Sequence, residues 1–374
     1  MKKKKIIFFI NSLRFFLSHR INLAEITFNN NYDVIIVAKK DINSIPQHLK
    51  KYKLIDLSIR NSNLNIFSEI QNLKFITNII KEHKPDICHF ITVKSIFYAA
   101  LLHRKLRNTK IVLSFSGIGS ILSNKKITSF ISKIIFLKSI KKILSLKNIR
   151  IIFQNEDDKN FIKKNTNFLD YKSYIIPGSG INLNDYSYKK IKKKNNVNFL
   201  FASRLLLDKG LQEFIDASQL ILDNKYDATF TIIGEVDTLN PSSININKVN
   251  EWKNEDSKFY HGFQSDIKEF LEYSDIVVLP SYREGFPKIL IEASAIGRLI
   301  LASNVPGCKD CVEDGVNGFL FEVKSYKSLY EGMVKLINNK INFDIMSINS
   351  RKIAEKKYDI SIVNKKHLMI YNSF

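Results

Sequence analysis

Apolar residues recur along this chain in short unbroken runs rather than in strict alternation. Ile6 to Ile10, Val34 to Ala38, Leu54 to Ile59, Ile87 to Phe90, Ile111 to Phe115, Ile151 to Gln154 and Tyr174 to Ile176 form a first series, separated by helix-sized intervals. Runs of this length, rich in β-branched and aromatic residues, suit strands of a parallel sheet buried on both faces. After Pro177-Gly178-Ser179-Gly180 the chain becomes polar and lysine-rich to about Asn196. A second series follows at Phe199 to Ala202, Phe230 to Ile233, Phe259 to Gly262, Ile276 to Leu279, Leu299 to Ala302 and Phe319 to Phe321. The pattern predicts alternating β/α structure in two Rossmann-like domains facing a central cleft. The first domain is expected over residues 1–186, a basic linker over 187–196 and the second domain over 197–355. Residues 356–374 read as a C-terminal helix able to cross back to the first domain.

Composition changes this picture in two ways. At 374 residues and 45% hydrophobic content the chain is large enough for two cores. No apolar run reaches the roughly 18 to 20 residues that span a bilayer. The opening Lys2-Lys3-Lys4-Lys5 followed by Ile6 to Ile10 imitates a signal peptide, but Asn11, Ser12 and Arg14 follow and no small-residue cleavage site appears. Three cysteines do not make a disulfide framework, so a cytoplasmic location is expected. Cys308-x-x-Cys311 has no second Cys/His pair, and it reads as part of the turn at Pro306-Gly307. Glu156-Asp157-Asp158 reads as a surface run.

Charge points to a negative partner. Lys and Arg number 58 against 36 Asp and Glu, a net +22. Part of this is a general richness in Lys, Asn and Ile. The rest attracts phosphate groups or anionic lipid. No helix-turn-helix cue, zinc-finger spacing or aromatic RNA-binding box is present, so nucleic acid is not the expected partner. The stretch 129–150 mixes five lysines and one arginine with Phe130, Ile134, Leu137, Ile140 and Leu144 at helical spacing. It is either an interfacial helix on a membrane or a domain helix covering the sheet.

Candidate chemistry concentrates in SYREGFPKILIE, residues 281–292. The buried-strand run Ile276 to Leu279 ends at Pro280, Gly285 supplies a turn, and Pro287 opens a helix that stops at Gly297. A strand, a tight turn and a helix start bring free N–H groups and the positive end of the helix dipole to a sheet's carboxyl edge, where phosphate binds. A carboxylate is a poor phosphate ligand. Glu284 and Glu292 are therefore expected to accept hydrogen bonds from hydroxyl groups flanking that phosphate. Arg204 closes the strand Phe199 to Ala202, and Lys209 follows five residues later; two such cations clamp a diphosphate. Gly234-Glu235 and His261-Gly262-Phe263 lie between these segments, in the same domain.

The sequences FASRLLLDKG, FYHGF, SDIVVLPSYREGFPKILIEASAIG and SNVPGCKDCVEDGVNGFLF resemble the donor half of glycosyltransferase family 4, retaining enzymes of GT-B fold. Two glutamates with seven residues between them, Glu284 and Glu292 here, are that family's signature. PGSGIN at 177–182 and FFLSHR at 15–20 extend the resemblance over nearly the whole chain, and the pattern is similar to the subgroup that adds N-acetylhexosamines to undecaprenyl-diphosphate-linked glycans. The resemblance implies that Arg204 and Lys209 hold the departing nucleoside diphosphate. It also implies that Glu284 orients donor-sugar hydroxyls and Glu292 takes ribose hydroxyls. Gly262, Gly285, Phe286 and Pro287 complete the donor side. No cofactor and no metal are implied. For the first domain it implies an acceptor side, with His89 or His19 near the reacting sugar, and Lys94, Gly117, Gly119 and Ser120 in loops toward the acceptor. The first loop, Asn11-Ser12-Leu13, lacks the paired glycines of many relatives.

The expected activity is retaining transfer of a hexose or N-acetylhexosamine from a nucleotide sugar, UDP-linked, to a lipid-linked glycan by an enzyme peripheral to the inner face of the cytoplasmic membrane. Two rival readings are a sugar-nucleotide 2-epimerase of the same fold and a non-catalytic membrane- or carbohydrate-binding scaffold.

Overall fold

The computed structural model describes residues 3–57, 66–119, 127–192, 195–238, 240, 242–245, 247, 249 and 260–374, without the side chains of 66 and 127–132. Ser120 and Phe130 therefore lie outside what is described. The chain divides into two compact units, Met1–Ser179 with Ser361–Phe374, and Gly180–Ile360.

The first unit carries strands β1 (Lys4–Phe9), β2 (Tyr32–Ala38), β3 (Lys53–Asp56), β4 (Ile87–Ile91), β5 (Lys110–Phe115), β6 (Ile149–Phe153) and β7 (Ser173–Ile175). They form one parallel sheet in the order β3-β2-β1-β4-β5-β6-β7. Its helices are α1 (Leu13–His19), α2 (Ile21–Asn29), α3 (Ile66–His83), α4 (Val93–Leu101), α5 (Ile127–Leu144) and α6 (Glu156–Thr166). The order reverses beside β1, so the connections that leave the carboxyl ends of β1 and β4 lead to helices on opposite faces, the usual place for a ligand in an open parallel sheet.

The second unit has β8 (Val197–Ala202), β9 (Ala228–Ile233), β10 (Ile276–Leu279), β11 (Leu299–Ser303) and β12 (Gly318–Phe321), parallel in the order β12-β11-β10-β8-β9. Its helices are α7 (Leu211–Asp223), α8 (Lys268–Tyr273), α9 (Lys288–Ile296), α10 (Tyr326–Asn338) and α11 (Phe343–Lys357); the final helix α12 (Ile360–Asn372) leads back into the first unit. Continuous apolar runs become fully buried strands because helices cover both faces: Val277 and Leu279 point to one apolar cluster, Ile276 and Val278 to the other. Of the expected strand at Phe259 to Gly262, Phe259 lies outside the described residues, and Tyr260 forms a single bridge to Ile232.

Two expectations need correction. The segment 187–196, expected as a basic linker, is held to the second unit at its described residues. Ile191 is buried, the Lys189 N–H donates to the Ile296 carbonyl, and the guanidinium of Arg298, itself buried, donates to the carbonyls of Lys189 and, at 2.9 Å, Ser274. Burial brings Arg298 down to about 10. The unit boundary falls instead at Ser179–Gly180. The acidic run 156–158 is not all surface either, since Asp158 is fully buried.

α12 covers one face of the first sheet with Val363, Ile370 and Tyr371. Beneath it lies a polar cluster. His89, in the middle of β4 and 0% exposed, is bound at Nδ1 by the Tyr371 hydroxyl (2.8 Å) and at Nε2 by Ser114 Oγ (2.6 Å). His367 packs 6.1 Å from its ring, and neither nitrogen of His367 finds a hydrogen-bond partner among the described residues. Arg20, also buried, donates to the Gly178 carbonyl at 3.4 Å, its one side-chain hydrogen bond among the described residues. Loss of hydration holds both histidines well below 6.5, with the Arg20 charge adding to it.

A stability prediction follows. Both histidines bind protons less readily folded than unfolded, so their contribution is complete above about 6.5 and is lost as pH falls below it. The melting temperature should drop between pH 7 and pH 5. His367→Leu, which removes a buried imidazole whose nitrogens lack hydrogen-bond partners among the described residues, should flatten that dependence in thermal scans at the same pH values. An unchanged slope would show that the cluster does not govern acid stability.

Candidate active site

The strand ends of the second sheet build the site. Beyond β8, Ser203 and Arg204 lead into a single 3-10 turn at Leu207–Lys209, closed by Gly210. Gly210 has φ +73°, and a Cβ there would run into the Pro280 carbonyl at the end of β10. Only glycine lets the two strand ends approach this closely. The Tyr282 N–H then donates to the Asp208 carbonyl at 2.9 Å, and the Tyr282 hydroxyl to Glu213 Oε1 at 2.7 Å. The segments 207–213 and 280–284 are thereby fastened together.

This brings Lys209 and Glu284 into an ion pair between Nζ and Oε1, with side chains only 18% and 15% exposed. Ser281 Oγ, fully buried, donates to the same Oε1 at 2.7 Å. Glu284 is held from behind as well. Its N–H donates to the Pro306 carbonyl (3.1 Å), and Gly307, at φ +84°, packs where a side chain would strike the Glu284 backbone. Arg204 is more exposed and pairs with Asp237 at 2.7 Å from the loop after β9. Gly262, at φ +68°, accepts the Gly234 N–H at 2.9 Å beside that loop.

Seven residues after Glu284 the chain has turned into α9. Pro287 sits at its cap (φ −71°, ψ 121°) rather than inside it, and Gly297 caps its end. Glu292 lies on the buried side of α9, 4% exposed. Its Oε1 accepts the Tyr186 hydroxyl at 2.8 Å and pairs with Lys288 Nζ at 3.1 Å. Phe286 packs edge-on against Tyr358. Arg204, Lys209, Glu284, Gly285, Phe286 and Pro287 thus share one sheet edge, with Glu292 one helical turn further on. This edge combines cations of the kind that can bind phosphate with oriented carboxylates that can accept from hydroxyl groups.

Cys308 and Cys311 are buried, and burial pushes both thiols up, which makes them inert as nucleophiles or ligands. Among the described residues, no three His, Cys, Asp or Glu side chains converge to hold a metal ion.

In the first unit the candidates divide. His89 is withdrawn: it is a core residue of β4, not a loop residue, and both ring nitrogens are engaged by Tyr371 and Ser114. His19 ends α1, stacked on Phe15 at 4.2 Å, with Nδ1 2.7 Å from Ser18 Oγ. Lys94 pairs with Glu69 at 3.0 Å near the start of α4. Gly117 (φ +97°) and Gly119 follow β5, and the Ile118 N–H between them donates to Asp158 Oδ2 at 3.1 Å. Asn11 and Thr92, at the ends of β1 and β4, hydrogen-bond each other.

Sequence reasoning missed Ser281, Tyr186, Asp237, Glu213 and Asp158. Ser281 and Asp237 stand close to recognised positions and could have been found as polar residues at strand ends. The pairing of Tyr186 with Glu292 joins residues far apart in sequence, and no local pattern carries it.

The family model for glycosyl transferases group 1 matches residues 184–354, and that for glycosyl transferase 4-like proteins matches residues 5–156. The chain is 27% identical over 350 residues, 88% of its length and 89% of the relative's, to the N,N'-diacetylbacillosaminyl-diphospho-undecaprenol alpha-1,3-N-acetylgalactosaminyltransferase of Campylobacter jejuni. It is 25% identical over 309 residues, covering 80% of its own length and 78% of the relative's, to the UDP-Gal:alpha-D-GlcNAc-diphosphoundecaprenol alpha-1,3-galactosyltransferase of Escherichia coli. Among solved structures, Anabaena HepE in complex with UDP and glucose superposes with a TM-score of 0.77 at 17% identity, covering 99% of this chain and 100% of that one. A glycosyltransferase from Rickettsia africae superposes with a TM-score of 0.74 at 20% identity, covering 99% and 98%. With two parallel α/β units and both halves matched by glycosyltransferase models, the chain belongs to the glycosyltransferases of GT-B fold.

Proposed function

We propose that the enzyme transfers a hexose or N-acetylhexosamine, with retention, from a UDP-sugar to a lipid-linked glycan. The observation that carries this reading is the pairing of Lys209 with Glu284 beside Arg204 at the carboxyl edge of β8 and β10. In the proposed reaction, Lys209 and Arg204 stabilise the negative charge that gathers on the leaving diphosphate as the sugar–oxygen bond breaks. Glu284 holds sugar hydroxyls and Glu292 the ribose, while Gly262, Gly285, Phe286 and Pro287 shape the donor side. The acceptor hydroxyl attacks on the face the diphosphate leaves, and a leaving phosphate oxygen takes its proton. Stabilising that phosphate is then the main source of rate enhancement.

The acceptor class rests on the relatives, whose names specify undecaprenol-diphosphate substrates. In the first unit, His19, Lys94, Gly117 and Gly119 are proposed to line the acceptor side. A lipid-linked acceptor calls for a peripheral position on the inner face of the cytoplasmic membrane. Among the described residues no helix is long and apolar enough to cross a membrane. α5 is a domain helix: Phe136, Ile140, Ile143 and Leu144 are buried in the core, and Lys133 lies over Phe161 at 5.1 Å. Its outer face presents Ile135, Lys138, Lys141 and Lys142, and this is the surface proposed to meet anionic lipid.

Lys209→Ala should lower turnover by roughly two to three orders of magnitude, the scale for one preorganised charge stabiliser, with circular dichroism unchanged. Near-normal turnover in that folded variant would remove Lys209 from the mechanism. Activity should also survive excess chelator, because the cations already stand where a metal would neutralise the diphosphate. Loss of activity with recovery on adding manganese or magnesium would contradict this.

Binding to anionic vesicles should be reversible and salt-sensitive, at about 1 kcal/mol per well-placed lysine. Changing Lys138, Lys141 and Lys142 together to Gln should release the protein in co-sedimentation. Equal binding by variant and parent would exclude α5 as the docking face.

A further inference from the structure

Glu284 and Glu292 are held in the same manner although they stand on different elements. Each receives one lysine and one hydroxyl on a single carboxylate oxygen, Lys209 and Ser281 on Glu284 Oε1, Lys288 and Tyr186 on Glu292 Oε1. At Glu292 the two partners are unequal. Lys288 is an i, i+4 neighbour on the same helix, its side chain 34% exposed. Such a same-helix pair contributes little and does not by itself fix the orientation of the carboxylate.

Tyr186 comes from outside the helix and is itself anchored. Its carbonyl accepts Arg351 Nη1 at 2.6 Å, and the same nitrogen donates to the Ala295 carbonyl of α9 at 2.7 Å. Lys268 lies over its ring at 5.1 Å. Arg351 thus ties the tyrosine backbone to the helix that carries Glu292, and the phenol closes the triangle. Burial and the neighbouring Glu292 charge push the phenol's proton affinity up, so it remains a donor at any physiological pH.

We infer that Tyr186 is a positioning residue for nucleotide recognition: by fixing Oε1 of Glu292 it aims Oε2 at the ribose hydroxyls of the bound nucleoside diphosphate, and so sets the preference for ribose. The inference rests on the ribose role proposed for Glu292. A hydroxyl donated to an immobilised carboxylate discriminates against a sugar that lacks it, whereas a carboxylate free to rotate adapts to either.

The test is titration calorimetry of UDP and 2′,3′-dideoxy-UDP with the parent and with Tyr186→Phe, which keeps the ring and removes only the hydroxyl. The parent should prefer UDP by about tenfold or more, the scale of a hydrogen bond to a charged group. In Tyr186→Phe the preference should fall below about threefold, through weaker binding of UDP at nearly constant affinity for the dideoxy nucleotide. A parent that binds both nucleotides equally, or neither, would overturn the ribose role of Glu292 and the inference with it. A normal parental preference that Tyr186→Phe retains would overturn the inference alone. Equal weakening of both nucleotides would also overturn it, by making Tyr186 a support of the fold.

Discussion

A carboxylate placed where a buried strand ends has lost most of its water, and an unpaired charge there costs several kcal/mol. Glu284 occupies such a place, and Lys209 relieves the cost for both. Much of the second unit's upper edge answers to that pairing. Gly210 lets the lysine's turn lie against Pro280, Tyr282 fastens the two strand ends, and Gly307 closes over the back of Glu284. The pair is also chemically suited to a ligand that brings its own negative charge and its own hydroxyl groups, since one partner can serve each.

The first unit is built on a contrasting arrangement. Its polar groups are gathered inside, beneath α12, around Arg20, His89, His367 and Tyr371. Arg20 lies buried with one long side-chain hydrogen bond, to a carbonyl, among the described residues, and burial lowers it to about 10. Buried polar groups that are only partly satisfied cost stability, so the apolar contacts of Val363, Ile370 and Tyr371 must offset them.

The two-sheet α/β architecture was legible because runs such as Ile276 to Leu279 are too short for helices and apolar on both faces. The site was legible where strand, turn and helix follow one another, so Glu284, Gly285 and Pro287 were placed by local grammar alone. Burial was not. His89 stands one residue from the end of its run, and whether it faces a loop or a core depends on α12, nearly three hundred positions later. Asp158 misled in the opposite direction. An acidic triplet at a helix start is normally solvated, but only the register of α6 decides which of the three turns inward to the Ile118 N–H. The lysine run near 190 looked like a spacer because charge suggests exposure, whereas Ile191 and the reach of Arg298 bind it to the domain.

The route of the chain has a further consequence, for synthesis rather than catalysis. The first unit is interrupted after Ser179 and completed only from Ser361 onward. On a ribosome adding about 5–20 residues per second, its sheet emerges roughly ten to forty seconds before the helix that covers one face. During that interval Phe8, Ile36 and the polar cluster around His89 lack their final cover, and their exposed apolar surface is a target for chaperones or for a neighbouring nascent chain. α12 therefore completes a domain whose strands are all made well before it, with the whole second unit in between.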